Sequence, residues 1–178
     1  MIQGRVWKFG SDINTDLILP TPVIFKPPEE QPRWVFSANR PGWAQGVQPG
    51  DVIVAARNFG TGSGRPAARV LKDLGIACVV AESINGLFFR NCVNYALPAL
   101  ECAGIHDAFD ELDVAEIDFE RATVRNRRTG RALAGRPWPL SLRRILEAGG
   151  LLALLRTEGY LGPVVESGTV GTAPMAGP

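Results

Sequence analysis

The sequence holds a single histidine, His106, and only three cysteines, Cys78, Cys92 and Cys102. That scarcity narrows the chemistry. The cysteines form no CxxC pair and sit in apolar surroundings, so buried thiols are expected in place of a zinc or self-contained iron–sulfur site. A Ser-His-Asp triad would have to use His106, which lies in a loop-like stretch with Asp107 and Asp110 and no motif tying it to a serine. No apolar run approaches the length of a membrane-spanning helix. Charge bias is missing too: 19 basic and 18 acidic residues give +1, which calls for neither nucleic acid nor membrane. The opening Met1-Ile2-Gln3-Gly4-Arg5 has no signal-peptide core, and a cytoplasmic chain is expected.

What is present fits one globular domain: 178 residues, 46% of them hydrophobic. Residues 1–162 carry the patterned segments. Residues 163–178 are Gly, Pro, Thr and small apolar residues without periodicity, and are expected to be a disordered tail.

The most informative stretch begins at Asp51. Val52-Ile53-Val54-Ala55-Ala56 reads as a buried strand, and Asn58-Phe59-Gly60-Thr61-Gly62-Ser63-Gly64-Arg65 as a loop with glycines at alternate positions. Pro66 suits the first turn of a helix whose apolar positions are Ala67, Ala68, Val70, Leu71 and Leu74, ended by Gly75. Ile76 to Ala81 is a second buried strand. Such a loop suits an anion: glycines admit close approach, the helix start offers free N–H groups, Arg65 supplies a guanidinium fork, and Ser63 adds a hydroxyl. A tight turn whose glycines only permit its geometry is the plain alternative.

Elsewhere, Gly4 to Phe9 predicts a first strand. The polar turn Gly10 to Asp16 follows, flanked by Asp12 and Asp16, and Leu17 to Pro20 reads as extended chain. Residues 20–49 hold seven of the fourteen prolines together with Trp34, Phe36 and Trp43, a long loop expected to pack on the domain or on a partner. Within it, Glu29 to Ala38 predicts a short helix. Ser83-Ile84-Asn85 opens a further helix bearing Arg90, Asn91 and Asn94, and Leu97 to Ala103 leads into a turn. Ala115 to Thr129 alternates as a hairpin, with a basic edge of Arg125, Arg127, Arg128, Arg131 and Arg136. Leu140 to Arg156 predicts two short helices broken at Gly149-Gly150.

Taken together, these pieces resemble the small subunit of 3-isopropylmalate dehydratase, equivalent to the swivelling C-terminal domain of aconitase. The likeness rests on Gly4-Arg5-Val6, Asn14-Thr15-Asp16-Leu17-Ile18, Pro49 to Ala55, Asn58-Phe59-Gly60, Leu71 to Ile76, Phe88, Arg90, Asn91, Asn94, Leu97, Pro98 and Glu147 to Leu151. It implies an α/β fold of the swivelling β/β/α type, a mixed central sheet with flanking helices. It further implies a heteromeric hydro-lyase that isomerises 2-isopropylmalate in leucine biosynthesis, active only with a large subunit that carries a [4Fe-4S] cluster. No cofactor is expected on this chain. The family loop reads Gly-x-Gly-Ser-Ser-Arg-Glu-His-Ala, so the family's base falls on Ser63 and its carboxylate-binding arginine on Arg65. Gly62, Gly64, Thr15 and Asp16 line the same pocket by that correspondence. This chain departs at Gly64, where a serine is usual, and at Pro66-Ala67, where Glu-His is usual. Citraconate-type, homoaconitate-type and specialised dicarboxylates stay open as substrates, as does a non-catalytic domain that binds an anion or partner. A dinucleotide-binding domain is the other reading, on Gly62, Gly64, Ala67 and the later Glu82.

Overall fold

The computed structural model describes residues 1–162, so the expected tail lies outside the described residues. Strand β1 (Ile2–Phe9) is the middle of a seven-stranded sheet. On one side lie β2 (Val52–Ala55), β3 (Cys78–Ala81) and β4 (Ala99–Glu101), all parallel and in that order outward. On the other lie β5 (Val114–Asp118), β6 (Thr123–Asn126) and β7 (Ala132–Ala134), all antiparallel. Parallel neighbours need crossovers. Residues 10–51 supply the first, helix α4 (Ala67–Leu74) the second and α5 (Gly86–Asn94) the third. Every residue of β2 and β3 is buried, as expected of strands covered on both faces. In β5 and β6 buried positions alternate with more exposed ones, the mark of a sheet half with one wet face. Two last helices, α6 (Leu140–Glu147) and α7 (Leu151–Thr157), close the described chain against α5.

The long first crossover holds α1 (Thr15–Ile18), α2 (Thr21–Ile24), a 3-10 turn at Gln31–Trp34 and α3 (Trp43–Gly46). It packs on its own sheet: Phe9 stacks on Phe36 at 4.4 Å between centroids, and Trp43 stands edge-on to both. Trp34 stays 44% exposed and Phe25 84%.

Several local expectations are corrected. Leu17 to Pro20 is not extended throughout. Asn14 caps α1, its side-chain oxygen accepting the Asp16 N–H at 2.8 Å, and a second helical turn follows Pro20. The helix expected over Glu29 to Ala38 shrinks to Gln31–Trp34, because Phe36 takes a left-handed φ of 57° that no helix continues through. Leu97 to Ala103 contains β4, whose three residues are extended by pairing with β3 and by no local signal. The basic edge is largely neutralised: Arg128 pairs with Asp110 and Asp113, Arg127 with Glu116 and Arg136 with Glu101. The dinucleotide reading also falls on topology. Its crevice forms where strand order reverses, whereas β1 to β4 step outward in one direction. Glu82 is engaged by Arg57 at 3.3 Å.

Candidate active site

Register aligns the C-terminal ends of the parallel strands, Phe9 with Ala55 and Ala55 with Ala81. Three connections leave this edge side by side, and open parallel sheets bind ligands there. The turn after β1 and the loop after β2 are laced together. Gly60 and Thr61 donate backbone N–H groups to the Ile13 carbonyl, and Thr15 donates to the Thr61 carbonyl at 2.7 Å. The third connection joins them through Asn85, whose N–H donates to the Phe59 carbonyl at 2.8 Å.

Two glycines are required by this lacing. Gly60 has φ +81°, and a Cβ there would stand 2.2 Å from Phe88 Cγ. Gly62 has φ +97°, and a Cβ would meet Asn14 Oδ1 at 2.5 Å. Gly64 differs. The nearest atom to an added Cβ is Leu87 Cδ2 at 3.9 Å, so a serine side chain would fit.

Ser63 and Arg65 meet. The Arg65 Nε–H donates to Ser63 Oγ at 3.0 Å, and Asp16 Oδ1 lies 2.8 Å from the same nitrogen. Arg65 Nη1 donates to the Leu19 carbonyl at 2.8 Å and Nη2 to Thr21 Oγ1 at 3.1 Å. The Arg65 side chain, 13% exposed, is thus held through three guanidinium nitrogens beside the exposed Ser63. Thr15 is buried, and its hydroxyl donates to the Ser63 carbonyl at 3.1 Å, holding the loop from beneath. The N–H groups of Gly62, Ser63, Gly64 and Arg65 donate to no protein acceptor among the described residues. Successive free N–H groups beside a cation form a concavity for negative charge. All six residues singled out from the sequence therefore belong to one place. Asn14, Leu19 and Thr21 were missed. They reach the loop only through the tertiary fold, although the Asx cap at Asn14 was a readable signal.

The cysteines do not join this site. All three are buried, and burial pushes their thiols up from the usual range. Among the described residues no group of three or more His, Cys, Asp or Glu is placed to hold a metal. A cluster needing thiolate ligands does not fit this chain's donors. His106 sits in a 3-10 turn, 3.5 Å from the neighbouring Asp107. The Ser63 loop is open: cavities of about 300 and 500 Å³ lie elsewhere, one against Trp138 and one against Leu151, and neither includes Ser63 or Arg65.

An open parallel edge carrying an exposed serine, an arginine and free N–H groups is the candidate site of an aconitase-type domain. Residues 29–104 match the aconitase C-terminal domain family. The isopropylmalate/citramalate isomerase small subunit of Methanocaldococcus jannaschii is 43% identical over 160 residues, covering 89% of this chain and 95% of that one. A 3-isopropylmalate dehydratase small subunit of Methanopyrus kandleri is 44% identical over 161 residues, with the same coverage. The crystal structure of a 3-isopropylmalate dehydratase from Methanocaldococcus jannaschii superposes with a TM-score of 0.83 at 33% identity, over 89% of this chain and 95% of that one. The chain belongs to the 3-isopropylmalate dehydratase small-subunit family. It is a hydro-lyase subunit, and a small subunit works in a heteromeric complex with a large one. No described helix is long and apolar enough to cross a membrane.

Proposed function

We propose that this chain, with a large subunit carrying a [4Fe-4S] cluster, isomerises 2-isopropylmalate to 3-isopropylmalate by dehydration and rehydration, a step of leucine biosynthesis. The observation that carries the reading is the Ser63–Arg65 pair inside a run of free N–H groups, on a fold shared with isopropylmalate isomerase subunits. Dehydration of a 2-hydroxy dicarboxylate needs a base for a weakly acidic C–H, positive groups for carboxylates and a Lewis acid for the leaving hydroxyl. The partner's cluster supplies the Lewis acid. Ser63 Oγ is the base. A serine oxygen is weak on its own, and the Arg65 Nε–H aimed at it stabilises negative charge there. The remaining Arg65 N–H groups, with those of Gly62 and Gly64, take a substrate carboxylate. Asp16 orients the guanidinium from the exposed side. Thr15 acts through the loop it holds. The 20–49 loop, which contacts Arg65 through its first residues, borders the substrate's variable group.

A second reading keeps the reaction and changes the acid. The Methanocaldococcus relative is named for citramalate as well, and Gly64 and Pro66-Ala67 change the polar groups at the loop. The test is anaerobic reconstitution with the large subunit, iron and sulfide, followed by enoate absorbance on a panel of hydroxy dicarboxylates. Turnover only in the mixture supports the isomerase, and the preferred acid names the substrate. A stable complex that turns over none of them refutes it.

A further inference from the structure

One buried polar side chain serves no part of the site just described. Gln31 is 4% exposed and fully satisfied. Its amide nitrogen donates to the Ile24 carbonyl at 3.2 Å and to the Lys26 carbonyl at 2.9 Å. The Ile24 carbonyl ends α2 and the Lys26 carbonyl lies two residues beyond it; α2 has only four residues, too short to hold itself. The Gln31 oxygen accepts from Arg69 Nη2 at 2.5 Å, and Arg69 Nη1 is fixed by Asp73 at 2.7 Å on the next turn of α4. Lys26 also lies over the Trp34 ring at 5.0 Å. The short corner at residues 20–26 is thus tied to the rigid crossover helix through one glutamine.

At its other end the same corner touches the catalytic loop. The Leu19 carbonyl and Thr21 hydroxyl hold both terminal nitrogens of Arg65. Val23 is buried, and Phe25 projects from the corner 84% exposed. A shift of the corner therefore moves Arg65 and Phe25 together. We propose that Gln31, braced by Arg69, is a positioning residue that sets this corner and through it the site's discrimination among substrate side chains. The assignment rests on the isomerase reading for its substrate and on the Gln31 contacts for its geometry.

The test has two readouts. In the full chain alone, Gln31→Met and Gln31→Glu should each speed amide exchange at residues 24–30 about tenfold against β2 amides, the size of one ordinary hydrogen bond. Glutamate is informative because it keeps the acceptor for Arg69 and loses both donors to the corner. In the reconstituted enzyme, Gln31→Met should raise KM for 2-isopropylmalate about tenfold with kcat within about threefold, and shrink its preference over citramalate. If Gln31→Met does not fold, Arg69→Met removes the brace alone and carries the same expectations. Unchanged exchange, or a lower melting temperature with unchanged KM and preference, overturns the proposal. A wild-type pair without turnover refutes the isomerase reading instead, and the strut then stands or falls on the exchange.

Discussion

Ser63 Oγ has one strong partner on this chain, the Arg65 Nε–H at 3.0 Å, and is otherwise exposed. A base in that position should be irreplaceable. Ser63→Ala should lower kcat of the reconstituted enzyme by about 10²- to 10⁴-fold while complex formation, followed by size-exclusion chromatography, is unchanged. Unchanged turnover would remove Ser63 from the role. The neighbouring Gly64 tests the departure from the family loop. Its surroundings leave room for a side chain, so Gly64→Ser should alter stability by less than about 0.5 kcal/mol. The added hydroxyl should raise kcat/KM by about three- to tenfold, read in the same assay. Gly62→Ala should do the reverse, because its Cβ meets Asn14 Oδ1 and its φ of +97° strains an alanine. A loss of about 1–3 kcal/mol in urea denaturation is expected. At this scale the sequence was readable where the site is contiguous. Gly62, Ser63, Gly64 and Arg65 stand in one loop, and their chemistry follows from residue type. Thr21 and Gln31 were not readable, since nothing near them in sequence names Arg65 or Arg69 as a partner.

Among the elements, those with a strong apolar pattern were legible. Val52–Ala55 and Cys78–Ala81 are unbroken apolar runs, and Ala67–Leu74 carries a helical spacing closed by Gly75 in the left-handed conformation. Ala99–Glu101 was not, because three residues hold no periodicity and their strand character comes from β3. The antiparallel half has its own anchor. Asp113, 6% exposed at its side chain, accepts from Arg128 Nε at 2.5 Å, from the Asn126 amide at 2.7 Å and from the Asp110 N–H at 2.9 Å. The Arg128 guanidinium above all, against the cost of burial, holds this carboxyl far below the usual carboxylate range. A carboxyl lowered on folding stabilises the fold above its unfolded value, about pH 4, and that contribution is lost as pH falls toward the folded value. Asp113→Asn should therefore lower the urea midpoint at pH 7, and the gap from wild type should narrow below about pH 4. A gap constant from pH 7 to 3 would show that the carboxylate charge contributes nothing.

The whole molecule divides its labour along β1. One side is a covered parallel half that ends in the Ser63–Arg65 loop, and the other is an antiparallel half with a wet face and paired charges. The loop itself is uncovered. Ser63 and Gly64 are exposed, and Leu87 presents a partly exposed apolar side chain beside Gly64. On the proposed function, a large subunit closing over this loop would exclude water, and that exclusion would strengthen the Arg65 charge on Ser63 and on substrate. Catalysis should then follow the population of the complex. With the large subunit fixed and dilute, turnover should rise hyperbolically with this chain, and its midpoint should match the dissociation constant measured by sedimentation. Added 2-isopropylmalate should tighten that constant, because substrate held between both chains stabilises their association by the same factor that association improves its binding. A midpoint independent of substrate would show that substrate is held by one subunit alone and not between the two chains.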